Sequence, residues 1–424
     1  MGFAMRLDMN YFDVSDVRFG DKTAYAFGLL TINKKELVEL LAEDKRFRSV
    51  DLQIAKPGER TRITNILEIM QPRIKPEHDD YYPGMLGPIR RAGEGKTNVL
   101  RGVTVLEIGA MQGLYGGLID MSGEGAHLTP LAQTINICLL TEPGEGLLLP
   151  DYGFALKTAG MKASVYLARA TQSLAPTEKE IFTLDRPIND LEGLPRVAYL
   201  YQLHSHGDSR EPFVYGENTR RYYPTIIHPN EVLDGAIVCG HYNISCSIKI
   251  PTYTILNHPV ILGLYRRHGK EVNFKGVVVA PEPTSLTEIK RTSMMAAGLL
   301  KYALGADGVI MTKEGGGHTD VDLMENCDNC ESLGIKTVLI DNEWLGPDGS
   351  GELPLIAFSS NANAMVSVGN VDAMIDLPAM ENVIGGTHML DLGGNLEGSL
   401  HMPLRFIPNG INQAGFTYLT TEAR

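Results

Sequence analysis

The stretch Gly235-Ala-Ile-Val-Cys-Gly-His-Tyr-Asn-Ile-Ser-Cys246 puts two thiols, an imidazole and a phenol just past a short apolar run. A thiol reacts where its site is partly exposed and polarised, and the end of a buried strand beside an imidazole supplies such a site. Cys239, His241, Tyr242 and Cys246 are therefore the candidate catalytic residues; the alternative is that both cysteines are small core residues. His204 and His206 alternate, so on an extended segment they share a side and can hold a metal, zinc with Cys246 as a further ligand, or bind nothing as polar loop residues. Gly315, Gly316 and Gly317, followed by His318, precede a helix and expose N–H groups suited to a substrate carboxylate, or form a flexible connector. Asp120 and Glu124, in the glycine-punctuated stretch 116–125, either bind a cationic group or are simply solvated. Cys327 and Cys330 have redox spacing, but Leu323, Met324 and Leu333 recur with them near helical spacing, which favours a buried face. Gly93-Glu-Gly-Lys-Thr97 resembles the end of a phosphate loop, but Arg90 stands where the first glycine is needed, so no nucleotide site is read there.

These residues need elements to hold them. Residues 5–32 alternate apolar and polar positions around turns and read as β-hairpins. Asn33 with Glu36 has capping-box spacing and opens a helix. Segment 72–98, rich in Pro, Gly and charge, reads as a long surface loop. From Val197 onward, short apolar runs at 197–203, 276–280, 308–311, 336–340 and 364–368 alternate with helical stretches at 285–302 and 320–333. That rhythm predicts a mostly parallel sheet with helices on both faces, whose ligands bind at the C-terminal strand ends. The fold class expected is α/β: a β-rich domain over 1–110, an α/β connecting segment over 111–195, and a doubly wound α/β domain over 196–424.

Composition narrows the partners. With 424 residues, 43% hydrophobic and 21% charged, the chain has ordinary globular composition. A formal charge of −13 argues against nucleic acid and against an anionic membrane surface. No apolar run approaches the length of a membrane span, and no secretory pattern opens the chain. The odd count of five cysteines makes no disulfide framework, and a reducing cytoplasm is the expected compartment.

The chain resembles the substrate-specific component, protein B, of the bacterial glycine, sarcosine and betaine reductases, with D-proline reductase a more distant relative. The resemblance is carried by Arg18-Phe-Gly-Asp-Lys-Thr23, Lys96-Thr-Asn-Val-Leu-Arg-Gly102, Gly117-Leu-Ile-Asp-Met-Ser-Gly-Glu-Gly125, the run from Pro224 to Val238, Leu264-Tyr-Arg-Arg-His-Gly-Lys270, Gly305-Ala-Asp-Gly-Val-Ile310 and Asp320-Val-Asp-Leu-Met-Glu-Asn-Cys327. It implies reductive cleavage of a C–N bond in a small amino acid or its N-methyl derivative. In that family a second subunit carrying a reactive cysteine or selenocysteine attacks the substrate. Glycine-type members cut themselves before a cysteine to form a pyruvoyl group; sarcosine- and betaine-type members stay whole.

Where the glycine type looks like Gly-Asn-Cys, this sequence has Gly240-His241-Tyr242. A pyruvoyl group arises from Ser or Cys, so Tyr242 makes that cofactor unlikely here. Cleavage before Cys246 would displace the carbonyl by about four residues, roughly 13 Å of extended chain. The resemblance thus implies an uncut, sarcosine- or betaine-like subunit in a hetero-oligomer, holding an N-methylated ammonium by carboxylates and an aromatic face. The rival expectation is a stand-alone zinc hydrolase or lyase built on His204, His206 and Cys246; a third is a non-catalytic scaffold. The purified protein is expected to give one species at full-chain mass (46.4 kDa) by intact mass spectrometry; two fragments would overturn the uncut reading.

Overall fold

The computed structural model describes residues 5–109, 116–184, 191–205, 212–240, 250–351, 357–389, 392 and 395–418. Its N-terminal half contains β1 (Met5–Asp13), α1 (Lys34–Leu41), β2 (Phe47–Ala55), β3 (Thr61–Met70), β4 (Gly95–Arg101), β5 (Val103–Gly109), β6 (Gly117–Asp120), β7 (Ile135–Pro143), α2 (Leu149–Ala168) and β8 (Glu178–Leu184). One sheet has the order β8-β1-β4 and ends on the short strand Arg73–Ile74; the other runs β6-β3-β5-β7-β2. Residues 117–184 therefore share their sheets with residues 5–109. Helix α2 packs on β3 and β5 and buries Tyr152, Leu156 and Ala159 with β5 and β7 residues.

Two sequence expectations change here. β1 is no hairpin arm: it lies between β8, antiparallel, and β4, parallel. Alternation reveals which face of a strand is buried, not which strand pairs with it; only Ala24–Ala26 with Leu29–Ile32 forms an antiparallel pair of the expected kind. Segment 72–98 is no simple surface loop either, since Arg73, Tyr81 and Tyr82 are buried. The Arg73 guanidinium donates to the Leu233 carbonyl at 2.8 Å and the Leu256 carbonyl at 3.3 Å, the last residues of two short helices. An arginine fork satisfies carbonyls that the helices leave unpaired, so its polarity does not demand solvent. The helix opening after Asn33 is as expected, its side chain accepting from the Glu36 N–H.

The second half contains β9 (Arg196–Leu203), β10 (Thr225–Ile227), α3 (Pro229–Leu233), β11 (Ile237–Val238), α4 (Thr252–Leu256), α5 (Pro259–Arg267), β12 (Asn273–Pro281), α6 (Leu286–Gly298), β13 (Gly308–Thr312), α7 (His318–Ser332), β14 (Lys336–Glu343), β15 (Met365–Asn370) and β16 (Asn382–Ile384). The six-stranded sheet has the order β10-β12-β9-β13-β14-β15, parallel except for β10. Helices α6 and α7 cover one face with Ala296, Leu300, Leu323 and Met324. The other face meets Ile255, Ile261 and Leu264 from α4 and α5, together with Leu7, Met9 and Phe182 of the N-terminal half. The mixed α/β class, with β-rich sheets first and a largely parallel sheet after, is the one expected. Cys327 and Cys330 line the buried face of α7, and burial pushes the Cys330 thiol up to about 12. Among the described residues no helix is long and apolar enough to cross a membrane.

The chain then returns to its start, β16 pairing with β3. Arg62 locks this return: it donates to both oxygens of Asp120, at 2.6 and 2.8 Å, and to the carbonyls of Pro378, Leu396 and Gly398. Both side chains are fully buried. Asp120→Ala leaves that guanidinium uncompensated and is expected to cost about 3–5 kcal/mol, read as a lowered urea midpoint.

Candidate functional site

The parallel strands, in chain order β9, β12, β13, β14 and β15, stand in the doubly wound spatial order 2-1-3-4-5. Successive connections leave β9 in opposite directions, so a crevice opens between the C-terminal ends of β9 and β13, where such sheets bind ligands. The sequence fills these ends with charge as each apolar run stops: His204 and Ser205 after β9, Glu282 after β12, Lys313 and Glu314 after β13, and Asp341 near the end of β14. All are buried.

Lys313 organises the cluster. Its Nζ lies 2.8 Å from Asp320, 3.2 Å from Asp341 and 2.8 Å from the Gly315 carbonyl. Burial alone lowers a lysine pKa, but Asp341 and Asp320 hold Lys313 above its ordinary value. Glu282 accepts from the Glu314 backbone N–H at 2.7 Å, and its other oxygen lies 3.5 Å from His204 Nδ1. Burial pushes Glu282 up to about 8, and burial also raises Asp322, held by Gln202 at 2.7 Å. Tyr201 donates to Glu314 from beneath the sheet. Among the described residues carboxyl groups thus outnumber ammonium groups in this crevice, which suits a cationic ligand. A cavity of about 550 Å³ opens beside Ser205 and Pro281, walled by Arg220, Tyr222, Tyr223 and Arg291. On the other side of the cluster Asp341 and Asn342 line a cavity of about 280 Å³.

The structure brings His204 and the glycine loop together: a Cβ on Gly315 would lie 3.2 Å from His204 Nδ1. Gln413 already accepts the Gly315 N–H at 2.8 Å, so anion binding there falls to the N–H groups of Gly316 and Gly317 and to His318 at the start of α7. His318 is lowered by burial and by His204. Asp120 and Glu124 lie elsewhere. Asp120 is paired with Arg62 of β3; Glu124 is exposed. The geometry of Asp120 is that of an internal clamp.

Cys239 ends β11 as a fully packed residue, 1% exposed. Its position is built from the preceding turn. The Asp234 carboxylate pairs with Lys75 and accepts from Thr97 at 2.6 Å and the Gly93 N–H at 2.7 Å. This is where the Gly93–Thr97 motif is used. Gly93 needs both its positive φ of 85° and its missing side chain, since a Cβ would lie 2.8 Å from the Glu231 nitrogen. Past this anchor, the Cys239 N–H donates to Thr252 Oγ1 at 3.1 Å, and Thr252 donates to Glu68 through its N–H at 2.9 Å and its hydroxyl at 3.1 Å. Lys157 donates to Glu68 at 2.5 Å. His206, His241, Tyr242 and Cys246 lie outside the described residues. Among those described, no three His, Cys, Asp or Glu side chains are arranged to hold a metal ion.

Sequence reading missed Glu68, Glu107, Lys157, Thr252, Glu282 and Asp341. Each charged residue among them interrupts or ends an apolar stretch, as in Asn65-Ile-Leu-Glu68 and Val105-Leu-Glu107. Charge inside a strand-like run is the signal that points to them.

Residues 5–422 match the family model described as glycine/sarcosine/betaine reductase component B subunits. The chain is 37% identical to the glycine reductase complex component B subunits alpha and beta of Acetoanaerobium sticklandii, across 99% of this chain and 100% of that one. It is 37% identical to the sarcosine reductase complex component B subunit alpha of Peptoclostridium acidaminophilum, over 99% and 100%. Against that organism's betaine reductase complex component B subunit alpha it is again 37% identical, over 92% and 90%. No solved structure matches the chain.

Glu282 and Glu107 are both pushed up to about 8, chiefly by burial. Carboxyls raised this way stabilise the fold fully below their ordinary value and lose that contribution as pH rises through about 8. Thermal midpoints are therefore expected to fall from pH 5 to 9, and Glu282→Gln to flatten part of that fall.

Proposed function

The chain belongs to the glycine/sarcosine/betaine reductase component B family, and on that premise we propose that it is the uncut, substrate-binding subunit for reductive C–N cleavage of a small amino acid or N-methyl amino acid. It is an oxidoreductase subunit, and the reaction takes a second subunit whose thiol or selenol attacks the α-carbon. The observation that carries the substrate class is the excess, among the described residues, of buried carboxyls over the Lys313 ammonium at the β9/β13 crevice. A substrate ammonium, methylated or not, completes that charge balance. Arg220 and Arg291, on the wall of the adjoining cavity, suit the carboxylate at the other end of the same small molecule.

A pyruvoyl group does not fit at position 242. Tyr242 carries its oxygen on an aromatic ring, so it can neither attack the preceding carbonyl through a β-heteroatom nor eliminate one. No step here runs through such a group. The substrate is held by charge and shape, and Cys239 and Cys246 are the chain's own thiols in the stretch that the family resemblance places at the reaction.

Reconstitution with its partner subunits tests this. Turnover of glycine, sarcosine or betaine is expected only with the second subunit present; full turnover by the isolated chain, or none of the three substrates accepted by the complex, would sink the reading. Arg291→Ala is expected to raise KM for the accepted substrate about tenfold or more, the worth of a lost charged hydrogen bond, with kcat little changed.

A further inference from the structure

Glu68 on β3 and Glu107 on β5 stand directly opposite each other across the antiparallel pair. Directly opposed residues project to the same face with Cα atoms about 5 Å apart, and like charges there repel. Both residues are 1% exposed, so water does not screen them. One ammonium faces the pair, that of Lys157 from α2, and it donates to Glu68. Glu68 also receives the Thr252 N–H, the Thr252 hydroxyl and the Ile69 N–H. Glu107 has an oxygen with no hydrogen-bond partner. That oxygen sits over bare backbone: a Cβ on Gly160 would come within 2.0 Å of it. One positive group and two carboxyls are neutral together only when one carboxyl keeps its proton, and Glu107 is the one without donors.

We propose that Lys157, Glu68, Glu107 and Thr252 form a buried proton-holding unit that positions the Cys239–Gly240 backbone for the reaction. Its place in the reaction rests on the function proposed above. Glu107 is the proton store; Glu68, Lys157 and Thr252 are positioning residues. The other groups near Glu107 are Tyr152 of α2, whose hydroxyl bonds Thr141 at 2.9 Å, and Leu139, its partner on β7. Cys239 joins Glu68 and Glu107 in holding Lys157 above its ordinary value against burial. Burial pushes Glu107 up to about 8. When Glu107 ionises, Lys157 is drawn between two carboxylates, Glu68 loosens its hold on Thr252, and the Cys239 N–H loses its fixed acceptor.

Hydrogen exchange of the Cys239 amide in the full chain reads this without substrate or partner. After correction for intrinsic base catalysis, its protection is expected to fall as pH rises through about 8, and Glu107→Gln, which mimics the protonated acid, to abolish that fall. Thr252→Val is expected to speed exchange at pH 7 about tenfold or more, with Thr252→Ser restoring protection. An unchanged pH dependence in Glu107→Gln, or unchanged exchange in Thr252→Val, overturns the unit. In the reconstituted complex, Glu107→Gln is expected to shift the alkaline limb of kcat; an unshifted limb overturns its link to the reaction. A complex without turnover, beside the expected exchange behaviour, defeats the function reading and leaves the positioning of Cys239 standing.

Discussion

The ion pair between Lys157 and Glu68 is the interaction on which the rest of the molecule turns. Burying each ion costs several kcal/mol in desolvation unless partners replace the water. Here the partners come from separate parts of the chain: Glu68 from β3, Lys157 from α2, and Thr252 from the start of α4. Satisfying one carboxylate therefore joins the N-terminal sheets to the segment that carries Cys239. The neighbouring Arg73 works in the same seam, supplying donors to the ends of α3 and α4. Apolar packing brings these layers together, but it is indifferent to small shifts. The hydrogen-bonded charges fix the register.

Lys313 repeats the same physics at the strand ends of the parallel sheet. Burial alone would drive both lysines towards neutrality, yet in each case nearby carboxylates hold the ammonium charged. The first of the two clusters reaches Cys239 directly, through the Thr252 hydroxyl that accepts its N–H. Neither charged cluster is something a core needs for stability. Hydrophobic residues of similar shape would fill both places at lower cost. Buried polar atoms without hydrogen-bond partners at Asn342 and Trp344 add to that argument, since each carries a desolvation penalty that packing does not return.

The amino-acid sequence makes the sheet legible and leaves the seam hidden. The apolar runs at 197–203, 276–280, 308–311 and 336–340 each become a parallel strand, because a strand covered on both faces must be apolar throughout. That topology also directs attention to His204 and to the loop after Met311, which the structure places side by side. Hidden from one-dimensional reading was everything set by non-local pairing: β1 between β8 and β4, Glu68 opposite Glu107, Arg62 on Asp120. Asp120 read as a turn residue, a candidate for a cationic ligand or simply solvated, because its glycine neighbours are visible in sequence and Arg62 is not. Arg73 likewise looked like loop polarity because the carbonyls that it satisfies lie more than a hundred residues away.

The substitution at Tyr242 explains why such buried charge has to be present. A carbonyl cofactor would hold a substrate amine covalently and draw electrons from its α-carbon, so little else would be asked of the pocket. On the function proposed above, a chain with tyrosine there binds the ammonium by electrostatics, and in water a carboxylate 4 Å from an ammonium gains only about 1 kcal/mol. The gain becomes useful where water is excluded and the carboxylates are already held in place, which is the condition at Glu282, Asp320 and Asp341. Burial, and after it the neighbouring carboxylates, raises the proton affinity of Glu282 and Asp322. On the function proposed above, arrival of a cation would release those protons, so that binding draws on charge that the fold has kept neutral until then.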